Sequence, residues 1–388
     1  MKESWEYKKL GAVADFYRGL TYKREDEVDS SDNCVLRSNN IDLDSMSLNF
    51  DELKYIRPDF VIPEDKKLKA NSVFVCMSNG SKQHVGKVAY VNEDMNYAFG
   101  GFMGLIVPKP QAMGKYIYYV CRSSFYRHFL EQIGNGIGIM NLRFTDLNEF
   151  SIPFPTLSEQ QHIVEELDLL SSIIEKKKTQ LYELDKLTQS LFYEMFGDPI
   201  INEKGWEVKK LGEICNYSKT RIGSEELSIK NYVGVENLLQ KCEGKIDAVK
   251  VPEGISLTEY IIGDVLIGNI RPYLKKIWLA SYRGGCNGDV LVIRRLPVYQ
   301  NTVNPIYLFK CLSDNAFFDY DMQFSKGEKM PRGDKKEILK YPILMPPTDL
   351  QNQFSSKVEA VEHQKELIKQ SIKEVETLFN SRMDYYFN

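Results

Sequence analysis

Two stretches of the chain repeat apolar residues with heptad spacing. In the first, Leu167, Leu170, Ile174, Lys177, Leu181, Leu184, Thr188 and Leu191 form one seam. In the second, Val358, Val361, Lys365, Ile368, Ile372, Val375, Phe379 and Arg382 do the same, displaced by 191 residues. Six of the eight positions are apolar in each seam, which predicts two helices packed as a coiled coil. Pro153 and Pro155 precede the first stretch and Pro346-Pro347 the second; Ser158-Glu159-Gln160-Gln161 and Thr348-Asp349-Leu350-Gln351 then give the Ser/Thr-x-x-Gln form that caps a helix start. The 39 residues from 158 to 196 make roughly 58 Å of helix at ~1.5 Å per residue. Outside the seams, short β-branched and aromatic runs alternate with Gly, Asn and Asp turns, the signature of strand-rich α+β domains.

These elements occur twice. Trp5-Glu6-Tyr7-Lys8-Lys9-Leu10-Gly11 recurs as Trp206-Glu207-Val208-Lys209-Lys210-Leu211-Gly212, with six identities in seven positions. Leu36–Ile41 aligns with Val233–Leu238, and the apolar run Asn71–Cys76 with Gly263–Gly268. Ile152-Pro153-Phe154-Pro155 aligns with Ile343-Leu344-Met345-Pro346. The expected organisation is a first globular domain over 1–152, a helix and link over 153–203, a second domain over 204–343, and a C-terminal helix over 344–388. If a two-fold axis relates the halves, the helices run antiparallel and separate the two domains. One turn of B-DNA is roughly 34–36 Å, so such a molecule suits two short sites separated by unread base pairs.

Composition narrows the class. The 388 residues, 43% hydrophobic and 27% charged, exclude a disordered or fibrous chain. No apolar run approaches the ~20 residues of a membrane span, and Met1-Lys2-Glu3-Ser4-Trp5 does not begin a signal peptide. Seven scattered cysteines without a CxxC pair, and four isolated histidines, fit free thiols in a reducing cytosol and offer little to a metal. The net charge of −4 argues against nucleic acid until it is divided. Residues 1–150 carry −1, 151–199 carry −5, 200–346 carry +4 and 347–388 carry −2. The acidity belongs to the helices and suits a protein partner, whereas the globular segments are mildly basic.

The candidate DNA contacts lie in that basic part. Lys326, Lys329, Arg332, Lys335 and Lys336 line a Gly/Pro loop, and Arg271, Tyr273, Lys275 and Lys276 interleave cations with an aromatic ring. Such side chains neutralise phosphates, and arginine reads guanine with two hydrogen bonds. The first half offers fewer: Lys82 and Lys87 around one loop, and Asn141 and Arg143 after a Gly-rich stretch. Arg18 and Lys23, with Lys219 and Arg221 in the second copy, complete the set.

Three motifs resemble catalytic ones and lack the context those need. Gly134-Asn135-Gly136-Ile137-Gly138 follows no clear strand; Asn304-Pro305-Ile306-Tyr307 has no cofactor loop upstream; Pro58-Asp59 and Glu64-Asp65-Lys66 stand too close together for a nuclease site. No GxSxG, HExxH or P-loop is present. The reading is of a recognition protein, with no catalytic or metal-binding residue. A coiled-coil scaffold with protein-binding end domains and no DNA role is the alternative; an unrecognised methyltransferase or nuclease domain is another.

The segment Ile152-Pro153-Phe154-Pro155-x-x-Ser158-Glu159-Gln160-Gln161-x-Ile163, and Phe196-Gly197-Asp198-Pro199 followed by Gly205-Trp206-Glu207-Val208-Lys209-Lys210-Leu211-Gly212, resemble the specificity (S) subunit of type I restriction–modification systems. The resemblance covers essentially the whole chain; only Pro346–Gln351 departs from the family's form. It implies two tandem α/β target-recognition domains, each followed by a long helix, with the helices forming an antiparallel coiled coil of pseudo-two-fold symmetry. It further implies a bipartite, asymmetric double-stranded DNA target, and docking of modification subunits that use S-adenosylmethionine to methylate adenine. Restriction subunits would use ATP and Mg²⁺, and the complex would be cytoplasmic. The differences between the two halves imply two different half-sites.

Overall fold

In a computed structural model describing residues 5–134 and 141–388, the Trp-Glu-x-Lys-Lys-Leu-Gly repeat forms the same element twice. Glu6–Lys9 pairs antiparallel with Ser151–Phe154, and Glu207–Lys210 with Pro342–Met345, so the two most repeated segments of each half form one two-stranded ribbon. Each ribbon runs into a single helical turn, Leu10–Val13 or Leu211–Ile214, whose leucine is fully buried. The leucine N–H is held by the domain's end: Leu10 N donates to Phe150 O at 2.7 Å and Leu211 N to Tyr341 O at 2.8 Å.

Each half carries a four-stranded antiparallel sheet of one topology. In the first the order is Ala14–Arg18, Met103–Pro108, Ser72–Cys76, Val88–Val91. In the second it is Cys215–Tyr217, Val290–Arg295, Val265–Gly268, Ile277–Leu279. The apolar runs read from sequence are the strands Ser72–Cys76 and Val265–Gly268, buried at every residue because both faces are covered. A second sheet of shorter strands, five in the first half and four in the second, contains one parallel pair in each, Cys34–Leu36 with Met95–Phe99, and Tyr232–Val233 with Gly284–Cys286. Paired helices, Gly114–Arg122 with Ser124–Ile133 and Pro305–Ser313 with Asn315–Phe324, complete each α+β domain.

The heptad stretches lie within two 40-residue helices, Leu157–Phe196 and Thr348–Phe387. The expected cap is shifted in the first. Thr156 and Glu159 form its capping box, with Thr156 N donating to Glu159 Oε2 at 3.0 Å and Glu159 N to Thr156 Oγ1 at 3.4 Å. The glutamines do different work. Gln160, fully buried, accepts from Met113 N at 3.0 Å and donates to Pro155 O at 3.0 Å. Gln351, also fully buried, accepts from Asn304 N at 2.9 Å and donates to Pro346 O at 2.8 Å. Gln351, three residues past Thr348, reads as a cap in the sequence because that spacing suits either role; Gln161, three past Ser158, instead donates to Glu165 Oε1 at 2.7 Å. The first helix ends where Gly197, at φ +79°, adopts the left-handed conformation that a side chain disfavours.

The chain divides into two compact units, Met1–Lys178 with Gln370–Asn388, and Thr179–Lys369. Each long helix therefore begins in its own domain's unit and ends in the other. Within each unit the helices pair antiparallel. In the first unit Leu167, Leu170 and Ile174 pack with Phe379 and Met383, flanked by Ile372 and Val375. Arg382, a polar seam position, donates to Glu166 at 2.8 Å. In the second unit Val358 joins Phe192 and Phe196 in the core, and Val361, three residues after Val358, is buried as well. There Lys365 meets Asp185 at 2.6 Å and Glu362 at 3.1 Å. Leu181, Leu184, Leu191, Ile368 and Lys177 are half-buried, whereas Leu169, Leu187, Leu367 and Leu378, off the seam, are exposed. Thr188 is buried and satisfied by Leu184 O at 3.1 Å. No helix among the described residues is long and apolar enough to cross a membrane.

Replacing Gln160 or Gln351 with Leu strands a buried N–H and a buried carbonyl while keeping an apolar stem. Each substitution is expected to cost about 1–3 kcal/mol, read as a lower urea midpoint of unfolding.

Candidate nucleic-acid interface

The two basic clusters of the second half are 50 residues apart in sequence and interlocked in space. The loop 269–276 leaves the buried strand Val265–Gly268, and the loop 325–334 leaves the helix Asn315–Phe324. Arg271 N donates to Pro331 O at 2.7 Å and Gly333 N to Asn269 O at 3.2 Å. Lys326 and Arg332 exchange both backbone hydrogen bonds at 2.9 Å, closing the second loop as a hairpin. Arg271 and Lys275 both take positive φ, 53° and 52°, on either side of the turn Pro272–Leu274, a strained conformation of the kind that gathers at functional sites.

The cations there differ in how freely they face solvent. Arg271, Lys329, Lys335 and Lys336 are exposed, as is the Tyr273 ring. Arg332 is exposed but lies 3.2 Å from Asp289. Lys326 pairs with Asp334 at 2.7 Å; this ammonium, with the N–H of Lys336, holds the Asp334 carboxyl down at about 2. Lys275 donates to Asn315 at 2.6 Å, and the half-buried Lys276 to Val235 O at 2.7 Å. An exposed ion pair is held weakly, so Arg332 and Lys326 exchange their carboxylates for phosphates at little cost.

The first half builds the same corner from different residues. The loop 77–87 follows the buried strand Ser72–Cys76; Leu142 N donates to Met77 O at 2.7 Å, and Ser78 bridges Asn141. Asn141 and Lys82 are exposed, and Arg143 is bound through Nε and Nη2 to Asp146 at 3.2 and 3.1 Å. Lys87 leaves the set of contacts. It is 5% exposed and its ammonium donates to Ile41 O at 2.7 Å, so its charge is spent inside the domain, where burial lowers its pKa. Arg18 ends the sheet's edge strand opposite Gly104, and Lys219 follows the matching strand after Ser218 N bonds Val292 O; both are exposed at this same sheet end. Lys23 and Arg221 belong to neighbouring segments. Lys23 pairs with Glu25 at 3.1 Å, and Arg221 lies flat on the adjacent strand, donating to Ser256 O at 2.6 Å and Thr258 Oγ1 at 3.0 Å.

One residue at this corner escaped sequence reasoning. Phe102 is 74% exposed at the turn whose carbonyl accepts from Met77 N and Ser78 N at 2.9 and 3.1 Å. Its counterpart is Asp289, whose carbonyl accepts from Asn269 N at 2.8 Å. The signal was the run Gly100-Gly101-Phe102, a large ring placed directly after a turn. The first corner thus presents a ring where the second presents a carboxylate paired to arginine.

The motifs that resembled catalytic ones have structural roles. Asn304 caps the helix Pro305–Ser313 by accepting from Ile306 N at 2.9 Å, and Tyr307 is buried with its hydroxyl on Leu344 O. Asp59 pairs with Arg57, and Glu64 with Lys67. No group of three His, Cys, Asp or Glu suited to a metal exists among the described residues. The Gly134–Gly138 segment lies, from Asn135 onward, outside the described residues.

Comparison with known proteins decides the family. The family described as "Type I restriction modification DNA specificity domain" matches residues 2–185 and 203–377, one copy on each half. The chain belongs to that family. Among its relatives, the type I restriction enzyme StySPI specificity subunit of Salmonella potsdam is 28% identical over 301 residues, which is 76% of this chain and 62% of the relative. The EcoKI specificity subunit of Escherichia coli K12 is 26% identical over 203 residues, 52% of this chain and 43% of the relative. The matches therefore span less than two thirds of either specificity subunit. In fold, the chain is similar to the type I restriction–modification S subunit of M. genitalium, with a TM-score of 0.59 at 15% identity over 99% of this chain and 96% of that one. A chain from a type I restriction–modification system studied for complex assembly gives 0.55 at 16% identity, covering 98% and 96%.

In this specificity-family chain, Lys87→Met is expected to lower stability by about 1–3 kcal/mol, because Ile41 O loses its buried donor. Arg332→Ala is expected to leave the unfolding free energy within about 0.5 kcal/mol of the parent. Parallel urea titrations compare the two.

Proposed function

We propose that the chain is the non-catalytic, DNA-reading subunit of a cytoplasmic type I restriction–modification complex and that it reads a bipartite, asymmetric target. Each unit reads one half-site with its loop corner. The long helices set the number of unread base pairs between the half-sites. The helices also dock modification subunits, which methylate adenine with S-adenosylmethionine, and restriction subunits, which use ATP and Mg²⁺. S-adenosylmethionine, ATP and Mg²⁺ serve the partner subunits' chemistry.

The observation that carries this reading is the convergence, at the same sheet end of both domains, of the loop after the buried strand Ser72–Cys76 or Val265–Gly268 and the segment just before the short helix Phe144–Glu149 or Lys335–Ile338. Sequence-distant cations assembled on one backbone framework suit a duplex, where phosphate contacts fix register and a few side chains read bases. The second corner, with Arg271, Lys329, Arg332, Lys335 and Lys336 exposed, suits guanine and phosphate contacts. The first, with Asn141, Lys82 and the Phe102 ring, suits hydrogen bonds to adenine and apolar contact with a base or thymine methyl. Two unlike corners favour two unlike half-sites over a palindrome. The acidic long helices, with Leu169, Leu187, Leu367 and Leu378 exposed off the seam, suit protein partners.

Fluorescence anisotropy with the chain assembled on its modification subunits tests the assignment. Affinity for duplex is expected to fall steeply with salt, and Arg332→Ala to cost about 1–3 kcal/mol, roughly fivefold or more. A salt-independent affinity, or an Arg332→Ala complex that binds its target as the parent does, contradicts it.

A further inference from the structure

Beneath the loop corner, the second unit is polar where the first is hydrocarbon. Met77 and Asn269 occupy one position of the common framework, because their carbonyls accept from Leu142 N and Gly333 N. Leu142 and Gly333 occupy a second. Leu130 and Asp321 occupy a third, each on the second helix of its pair at the same distance from the N-cap, Ser123 or Asp314. In the first unit, Met77, Leu142 and Leu130 pack together in the apolar core.

In the second unit three oxygens replace that packing. A Cβ on Gly333 would lie 2.4 and 2.8 Å from the two carboxylate oxygens of Asp321 and 3.0 Å from Asn269 Oδ1. Asp321 is 2% exposed and Asn269 7%, and no protein donor among the described residues bonds any of the three oxygens. The cations nearby in sequence are engaged elsewhere, Lys326 with Asp334 and Arg332 with Asp289. A buried carboxylate must be compensated, by a proton or by a cation. An all-oxygen donor set, standing where the first unit has the Leu142 side chain, matches the needs of a hard ion that keeps some of its own water.

We propose that Asp321 and Asn269, packed against Gly333, bind a hard divalent cation of the Ca²⁺ or Mg²⁺ class. The cation ties the helix Asn315–Phe324 to both loops of the corner and so fixes the backbone that carries Arg271 and Arg332. Protons compete for the same oxygens: burial pushes the Asp321 carboxyl up to about 6, and the charge of Asp334 adds to this. Tyr217 is the other titrating neighbour, its hydroxyl donating to Lys335 O. The sign follows. The folded value lies above the ordinary 3.8, so the folded state holds this proton more tightly.

The test uses the full chain, stripped with a chelator at pH 7.5, and no DNA, so its outcome is independent of the function proposed above. Tb³⁺ emission excited through tyrosine is expected to saturate and to be displaced by Ca²⁺ or Mg²⁺. Either ion at millimolar concentration is expected to raise the melting temperature. Asp321→Asn is expected to weaken Tb³⁺ binding at least tenfold and to abolish the melting shift. If that variant fails to fold, the combined Asn269→Met, Asp321→Leu and Gly333→Leu variant, which rebuilds the first unit's apolar packing, is expected to fold with no response to cations. A parent chain whose melting is unmoved by Ca²⁺ and Mg²⁺ overturns the proposal, since a proton or a turned Asn269 amide then satisfies Asp321. An equal Tb³⁺ affinity in Asp321→Asn overturns it as well.

Discussion

The fold depends on how each domain is fastened to its long helix. The N-terminal strand of each half closes on the strand that leads into the helix, Glu6–Lys9 on Ser151–Phe154 and Glu207–Lys210 on Pro342–Met345. A buried glutamine then spans the junction, bonding the domain's backbone at Met113 or Asn304 and the segment before the helix at Pro155 or Pro346. An amide with one acceptor and one donor side satisfies both, whereas a leucine of similar size satisfies neither. The start of each helix is thereby fixed in rotation as well as position, because one face must present the glutamine inward. Heptad packing transmits that orientation along the helix.

Charge is divided accordingly. The seam stays mostly apolar, and two of its three cationic positions are matched within a unit, Arg382 to Glu166 and Lys365 to Asp185. Ion pairs at otherwise apolar seams select register more than they add stability. In the second domain the exposed cations Arg271, Lys329, Lys335 and Lys336 gather at the loop corner. One sheet topology thus carries two different surfaces, since the corner is built from loops that the core does not constrain.

The long helices and the buried central strands were legible in the sequence because period and burial are local signals: Leu167 to Leu191 and Val358 to Phe379 mark the seam, and Ser72–Cys76 is apolar on both faces but for its first residue. The repeat was legible as well, but not its reason, because pairing of residues 6–9 with 151–154 is a long-range event. The corner was half legible. Lys326–Lys336 and Arg271–Lys276 stood out as cations, but their interlocking rests on backbone bonds such as Arg271 N to Pro331 O that no composition reveals. Lys87 was misread because a lysine beside a glycine loop carries no mark of burial until Ile41 O is placed above it. Phe102 was passed over because a single phenylalanine is ordinarily core.

The central claim is that each unit reads its own half of one bipartite target. It is tested most directly by mapping methylated adenines genome-wide in cells carrying this chain and in cells where residues 204–343 are replaced by the matching domain of a relative. The expected result is a bipartite motif in which one half changes while the other half and the spacing stay the same. A motif that persists unchanged after the exchange, or one in which both halves change together, contradicts the account.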